Sequence, residues 1–349
     1  MKSQIKEEII SSANGKLIIS GEYSAIFGAP VIACSISKET KTCIKFLKIS
    51  SNLPKITVKI PQISFEKVMF ISELFEHKKI IDLQYEDFLN KKLEASEILS
   101  QKTDLVKYIL GYYLIKKNIQ YDIICVIESN IEISFGFGSS AALILSLSLA
   151  LIKLLKLNYT DQQILLFSQK IENLQHGYSS GIDIKTSFFG GIFKFADNKI
   201  HNIQIKEDIF RKFFIIKLSA KENTSITVSQ VIDNFKKENN IWKKFAQIAL
   251  EIEKNISNND LSKLIENIKI NNLLLKQISV VSAKNQKIIS YIEKYGGAAK
   301  ISGSGSLKNK FSGIIFAISE IEIIKFLSKK YNFEFESLNI NFCKARYLI

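Results

Sequence analysis

The sequence predicts an α+β protein in two halves, with its chemistry carried on loops between strands and helices. Three observations lead there. Short runs rich in β-branched and aromatic residues alternate with longer stretches of helical periodicity. At 349 residues the chain is too long for one comfortable core, so two domains are the default. A glycine pair, Gly190-Gly191, breaks the pattern near the middle and places the boundary, giving units 1–190 and 191–349.

In chain order, residues 16–20 (KLIIS) read as a short buried strand that runs into a turn or helix at Gly21-Glu22-Tyr23. A second strand covers 31–37, and further β structure follows over 41–50 and 56–60. Residues 62–100 are charged and mixed, with helical stretches such as FISELFEHKK. Thr103 reads as the N-cap of the run DLVKYILGYYLIKK, whose apolar residues recur at helical spacing. Residues 121–127 (YDIICVI) form a strand, a glycine loop follows, and the Ala/Leu/Ile run after it reads as a buried helix. Helix dominates as far as residue 190, apart from a loop at 176–183.

Past the glycine pair, IFKF and then FFIIKL at 213–218 are strands. Residues 224–295 are mostly helical, with Trp242, Phe245 and Ile248 on one helix face. A strand at 312–319, a helix at 321–330 and a closing strand at 343–349 complete the chain. No internal repeat, low-complexity tract or coiled coil interrupts this order.

Composition narrows the function. The net charge of +14 comes mostly from lysines scattered over nearly every segment, without the clustered stripe that nucleic acid requires. No nucleic-acid partner is expected, whereas a positive field attracts phosphorylated or carboxylate-bearing small molecules. The four cysteines show no C-x-x-C spacing and read as reduced core thiols. The three histidines form no zinc pattern. The first residues lack the apolar core of a signal peptide, and the longest apolar run, 141–152, is too short to span a bilayer. A soluble cytoplasmic protein without a membrane partner is the expectation.

Residues 133–149 (ISFGFGSSAALILSLSL) organise the rest. A strand, a glycine loop and a helix start, in that order, make an anion site. Glycines allow close backbone approach, and the first helical amides and the helix dipole point at the ligand. Three readings stay open for the loop alone. It can be a tight turn into a core helix. It can be a dinucleotide site, since Gly136 to Ala141 fit the G-x-G-x-x-A variant, although helix rather than strand follows. It can bind a nucleoside triphosphate, but no Walker-type run is present.

Three further places carry polar residues that their surroundings do not require. The first is Ala13-Asn14-Gly15-Lys16 with Gly21-Glu22-Tyr23, where a strand-end lysine either points into a cleft or is simply solvated. Another is Glu172 with His176 to Asp183. Glu172 and His176 share a helix face, so Glu172 could reach a metal at the helix end, while Asp183 could be only a turn cap. The last is Lys300 to Ser306 (KISGSGS), a second glycine loop.

Taken together these stretches resemble the three motifs of the GHMP kinase superfamily, in order and across nearly the whole chain. ANGKLIISGEYSAIFG resembles PGKxxLxGEH, IEISFGFGSSAA resembles PxxxGLGSSAA, and KISGSGSLKNKFSG resembles KxTGAGxGG. Within the superfamily, HGYSSGID resembles the HGxPSGID signature of mevalonate kinases.

The resemblance implies the GHMP kinase fold, two domains with the nucleotide and substrate sites in the cleft between them, and an ATP-dependent kinase needing Mg2+. It makes Asp183 the catalytic aspartate with Lys16 beside it. It gives the loop Gly136, Phe137, Gly138, Ser139, Ser140 and Ala141 to the triphosphate, and Ser140 and Glu172 to the metal. Glu22, Tyr23 and Gly181 fall on the substrate side. The implied reaction is mevalonate to 5-phosphomevalonate in isoprenoid biosynthesis. Phosphomevalonate kinase, another GHMP kinase, and a binding or sensor protein on the same fold are the alternatives, and a homodimer is left open. The chain departs from the motifs at Asn14 and Ser179, each in place of a proline. It departs also at Tyr23, where mevalonate kinases usually carry histidine, and in the absent glycine pair of the third motif.

Overall fold

A computed structural model of the chain describes residues 5–197, 199–205, 209–219, 231–236, 239–303 and 313–348. Its frame is a pair of long antiparallel strands, β1 (Ile5–Ser20) and β2 (Val31–Leu47). β3 (Lys55–Ile60), β4 (Phe65–Phe70), β5 (Asp122–Ser129) and β12 (Arg346–Tyr347) extend them into a sheet of order β12-β1-β2-β5-β3-β4. β6 (Ile192–Ala196) also pairs with β2, and β7 (Lys199–Asn202) pairs with β6. A second sheet has the order β11-β8-β10-β9, from β8 (Phe213–Ser219), β9 (Ala298–Ser302), β10 (Gly313–Ile318) and β11 (Glu334–Ser337).

Helices cover both sheets. α1 (Ile71–Leu89), α2 (Ala95–Ile98) and α3 (Asp104–Leu114) precede β5. α4 (Ser139–Leu154) packs along β1 and β2, followed by α5 (Asp161–His176) and α6 (Ile182–Phe189). α7 (Ile241–Ser257) packs on α8 (Leu261–Gln277) and reaches the first sheet through β2, Phe27 and Lys194 of β6, while α8 and α9 (Ala283–Lys294) cover β9 and α10 (Ile321–Tyr331) lies against β11. α4 is apolar nearly all round and buries twelve of its sixteen residues, as a helix between a sheet and other helices must. One apolar cluster runs from Ile9 and Leu17 through Ile144 and Leu147 to Ile301 and Phe316, so both sheets share it. No helix among the described residues is long and apolar enough to cross a membrane.

Several expectations need correction. β1 begins at Ile5 rather than at Lys16, because pairing with β2 along its length overrides a locally polar composition. The separate strands expected at 31–37 and 41–50 are one strand. Its register shifts opposite Asn14 and Gly15, where Glu39 and then Ile36 are the partners; this is a β-bulge that re-aims the intervening side chains. Residues 65–70, read as part of a mixed helical region, form β4 on the sheet edge. Thr103 makes no side-chain cap; the Asp104 carboxylate instead accepts the Gln101 amide at 2.8 Å. The closing strand is confined to β12. Among the four free thiols Cys34 and Cys125 are buried, and burial pushes both up to about 12, but Cys343 lies at the surface. Residues 224–230, expected to be helical, lie outside the described residues.

The 190/191 division falls in the turn between α6 and β6. Beyond it β6, β7 and, at the far end of the chain, β12 still pair into the first sheet. The two sheets are also joined by a closed ring of charges. Lys38 of β2 contacts Glu132 at 2.9 Å and Glu336 of β11 at 3.0 Å, and Lys217 of β8 reaches both carboxylates from the other side. Each lysine answers two carboxylates, and these hydrogen bonds hold the Glu132 carboxyl below its ordinary range against the opposing effect of burial.

The Asn14 side chain explains one departure from the motif. Its amide donates to the Cys343 carbonyl at 2.7 Å and accepts from Asn341 at 2.9 Å, clamping the C-terminal segment across β1. Proline has neither group. Asn14→Ala is expected to cost about 1–3 kcal/mol in stability and to speed amide exchange at 343–348. Unchanged exchange there would show that the clamp is idle.

Candidate active site

The second half of β1 is buried on both faces, with residues 11–17, 19 and 20 buried, and the turn at 21–24 that follows is buried as well. Polar groups in such a strand need partners, and the partner of Lys16 identifies the site. Its Nζ lies 2.9 Å from Asp183 Oδ2, with the lysine side chain 5% exposed and the aspartate 33%. The pair therefore opens to solvent on the Asp183 side only. Asp183 arrives on the first turn of α6, whose N-cap Gly181 sits at φ 73°. Residues 16 and 183 are joined by fold alone.

The glycine loop docks on the same lysine. The Lys16 amide donates to the Phe137 carbonyl at 2.8 Å. Gly138, at φ 71°, is the N-cap of α4 and provides no side-chain cap to the helix amides after it. A Cβ on Gly138 would lie 2.8 Å from Lys16 Cγ, so glycine is required both by conformation and by contact. The first amides of α4 are thus uncapped next to the Lys16–Asp183 pair, which is the geometry of an anion site. Ser139 and Ser140 are half-buried there. The Phe137 ring and Ala141 are core residues, each at most 1% exposed, so of Phe137 only the backbone can meet a ligand.

Glu172, on the penultimate turn of α5, completes the cluster. It is 2% exposed, and its pKa is pushed up to about 8 by burial and then by the charge of Asp183. Lys16 and a hydrogen bond from the Ser179 hydroxyl oppose the rise. Ser179 stands where the family signature has proline, and its hydroxyl also accepts the Gly181 amide at 2.9 Å. The substitution therefore converts a rigid turn residue into a bridge between Glu172 and the loop that carries Asp183. Sequence reasoning missed this, since no spacing rule marks a serine as a bridge. His176, on the same helix as Glu172, is exposed, whereas Glu172 is buried.

Glu22 and Tyr23 sit just past β1 and are buried, 5% and 6% exposed. Glu22 is paired with Lys300 of β9, whose side chain is wholly buried. That pair, too, was absent from the sequence reading, being separated by 278 residues. Ser302 Oγ donates to the Ile18 carbonyl at 2.7 Å, so the described part of the third motif lies against the first. Ser304, Gly305 and Ser306 lie outside the described residues. A cavity of about 390 Å³ beside Lys38, Asn130 and Glu336 is lined by none of the motif residues. The charge geometry, not cavity size, marks the site.

Glu172 gives a pH test. Its folded pKa lies above the ordinary carboxylate value, so between about pH 4.5 and 8 the folded state binds the extra proton and stability falls as pH rises. In metal-free protein Glu172→Gln should therefore stabilise at pH 8 by at least about 1 kcal/mol more than at pH 5. Parallel melting curves of the two proteins across that window would place the buried charge elsewhere.

Comparison with known proteins bears on the family and the fold. Residues 104–191, from α3 to the start of β6, match the family model described as the GHMP kinases N terminal domain. A mevalonate kinase of Pyrococcus horikoshii is 27% identical over 313 residues, covering 85% of this chain and 86% of that one. The crystal structure of the Methanococcus jannaschii mevalonate kinase superposes with a TM-score of 0.75 at 20% identity, covering 96% of this chain and 99% of the other. That of the L. major mevalonate kinase in complex with R-mevalonate gives 0.70 at 20% identity, with 97% and 99% covered. Residues 104–191 are a GHMP kinase N-terminal domain, and the chain built around them has the fold of the mevalonate kinases.

Proposed function

We propose that the protein is an ATP-dependent kinase that phosphorylates a small alcohol, with mevalonate converted to 5-phosphomevalonate, in the cytoplasm. The observation that carries this reading is the Lys16–Asp183 pair set against the uncapped start of α4. We assign the halves 1–190 and 191–349 to two domains with the site between them.

In this reading Asp183 is the group that receives the proton. As the substrate hydroxyl oxygen bonds to the γ-phosphorus of ATP, its proton passes to the Asp183 carboxylate and the bond to the β,γ-bridging oxygen breaks, releasing ADP. Lys16, 2.9 Å away, orients that carboxylate and offsets negative charge on the attacking oxygen. The amides of Ser139, Ser140 and Ala141 bind the phosphates with the helix dipole behind them. The Gly21–Ser24 turn, with Glu22 and Tyr23, and Gly181 border the alcohol.

The residues also fit a magnesium ion. Glu172 is a buried carboxylate whose charge is disfavoured as it stands, and with the Ser140 hydroxyl it would be the residue to hold a divalent cation, which would compensate that charge. When bound, the ion would neutralise phosphate charge and hold the leaving oxygens.

A coupled ADP-release assay over mevalonate, phosphomevalonate, homoserine and galactose tests the assignment. Turnover should appear with mevalonate. Turnover with phosphomevalonate instead would transfer the assignment to that kinase, and none with any alcohol despite ATP binding would favour a sensor. Asp183→Asn should lower kcat by roughly 10²–10⁴-fold while ATP binding stays nearly unchanged. Unaltered kcat in that variant would remove Asp183 from the mechanism.

A further inference from the structure

The Lys300–Glu22 pair is not used by the mechanism above. Lys300 lies in the middle of β9 in the second sheet, and Glu22 follows the end of β1 in the first, so the pair spans the two sheets. Both side chains are almost wholly buried. Burial drives the Lys300 ammonium toward its neutral form, and Glu22 opposes that. A buried pair of this kind is weak evidence for stability, because desolvating two charges offsets most of their attraction.

Only one oxygen of Glu22 is engaged. Oε1 meets the ammonium, while Oε2 is buried and has no hydrogen-bond partner among the described residues. The hydroxyls of Ser20 and Ser24, on either side in sequence, are buried and unpartnered in the same way. Three orphaned polar groups in five residues are costly and call for an explanation. The backbone between them is also tightly constrained, with a non-glycine residue in the left-handed region and a glycine where no side chain fits. Tyr23 adopts φ 57°, and a Cβ on Gly21 (φ 101°) would lie 2.6 Å from the Pro30 carbonyl. Nothing in the apolar packing requires a carboxylate here. A hydroxyl-bearing ligand supplies what is missing, since it can donate to Oε2 and exchange hydrogen bonds with the serines.

We propose that Lys300 is a positioning residue for the alcohol substrate. It grips the Glu22 carboxylate by Oε1, so that Oε2 is presented as the acceptor for a substrate hydroxyl. Lys300 touches neither substrate nor nucleotide, and its effect is confined to the alcohol side of the reaction. The inference rests on the kinase reading.

The test is steady-state kinetics on the full chain with ATP and mevalonate, for wild type, Lys300→Met, Glu22→Gln and the double variant, with a melting curve for each. Wild-type turnover is the control: its absence overturns the kinase reading itself. Given that turnover, Lys300→Met and Glu22→Gln should each raise the alcohol KM about tenfold or more, with the ATP KM within about twofold. The double variant should be no worse than Glu22→Gln, because one residue acts through the other. A purely structural pair would lower the melting temperature and the apparent kcat, leave the alcohol KM in place, and recover in the double variant. An unchanged alcohol KM in folded Lys300→Met, or multiplying effects in the double variant, overturns the proposal. Should Lys300→Met not fold, Lys300→Gln keeps a donor on an unbranched chain and is read by the same two constants.

Discussion

The contact between β1 and the glycine loop fixes everything near the site. The Lys16 amide donates to the Phe137 carbonyl, and Gly15 lacks the Cβ that would sit 2.9 Å from that same oxygen. Phe137 is held from the other side by its ring, which is buried with Phe135 stacked near it and the Lys38 ammonium 5.9 Å from its centroid. The loop is therefore pinned at one residue by backbone and side chain together, and α4 starts where β1 allows. This is why the bulge in β2 opposite Asn14 and Gly15 matters. It gives the strand pair the local twist to bring Lys38 toward the loop while β1 continues through Lys16 to its end at Ser20, two residues before Glu22.

Buried charge is concentrated where two segments distant in sequence meet. The Lys16–Asp183 pair with Glu172 joins β1, α5 and α6, and Lys300–Glu22 joins β9 to the end of β1. In both cases at least one group is held against its preferred protonation or left with an unused acceptor, which an apolar core would avoid. The ring of Lys38, Glu132, Lys217 and Glu336 behaves differently. Its charges are partly exposed, each lysine pairs with both carboxylates, and the carboxyl of Glu132 is held low rather than high. That ring ties the sheets together, whereas the two buried clusters are arranged for something to be added.

Much of this was legible along the chain. The helix after the glycine loop, the strand before it and the strands around FFIIKL and SGIIFAIS follow from local composition, since such apolar runs leave few other ways to be buried. β4 and the first half of β1 were not legible. Residues such as IKEEIISS and FEKVMF carry a weak local signal, and their strand character comes from pairing with β2 and β3. The cap at Thr103 failed for a related reason, because the neighbouring Asp104 carboxylate takes the loop amide instead and is itself answered by His77 at 3.0 Å.

By itself the sequence determined the chemistry on offer: a glycine loop ahead of a helix, a lysine on a buried strand, an aspartate after a Ser/Gly turn, and a glutamate one helix earlier. These are local facts, set by which residue types stand within a few positions of one another. The tertiary structure alone decided which of them meet. It put Asp183 within 2.9 Å of Lys16, withdrew the Phe137 ring into the core and left His176 exposed. It also made Ser179 a bridge and brought Lys300 onto Glu22. Those outcomes depend on burial and on contacts between segments up to 278 residues apart, and energies of desolvation and pairing exist only once the chain has closed around them.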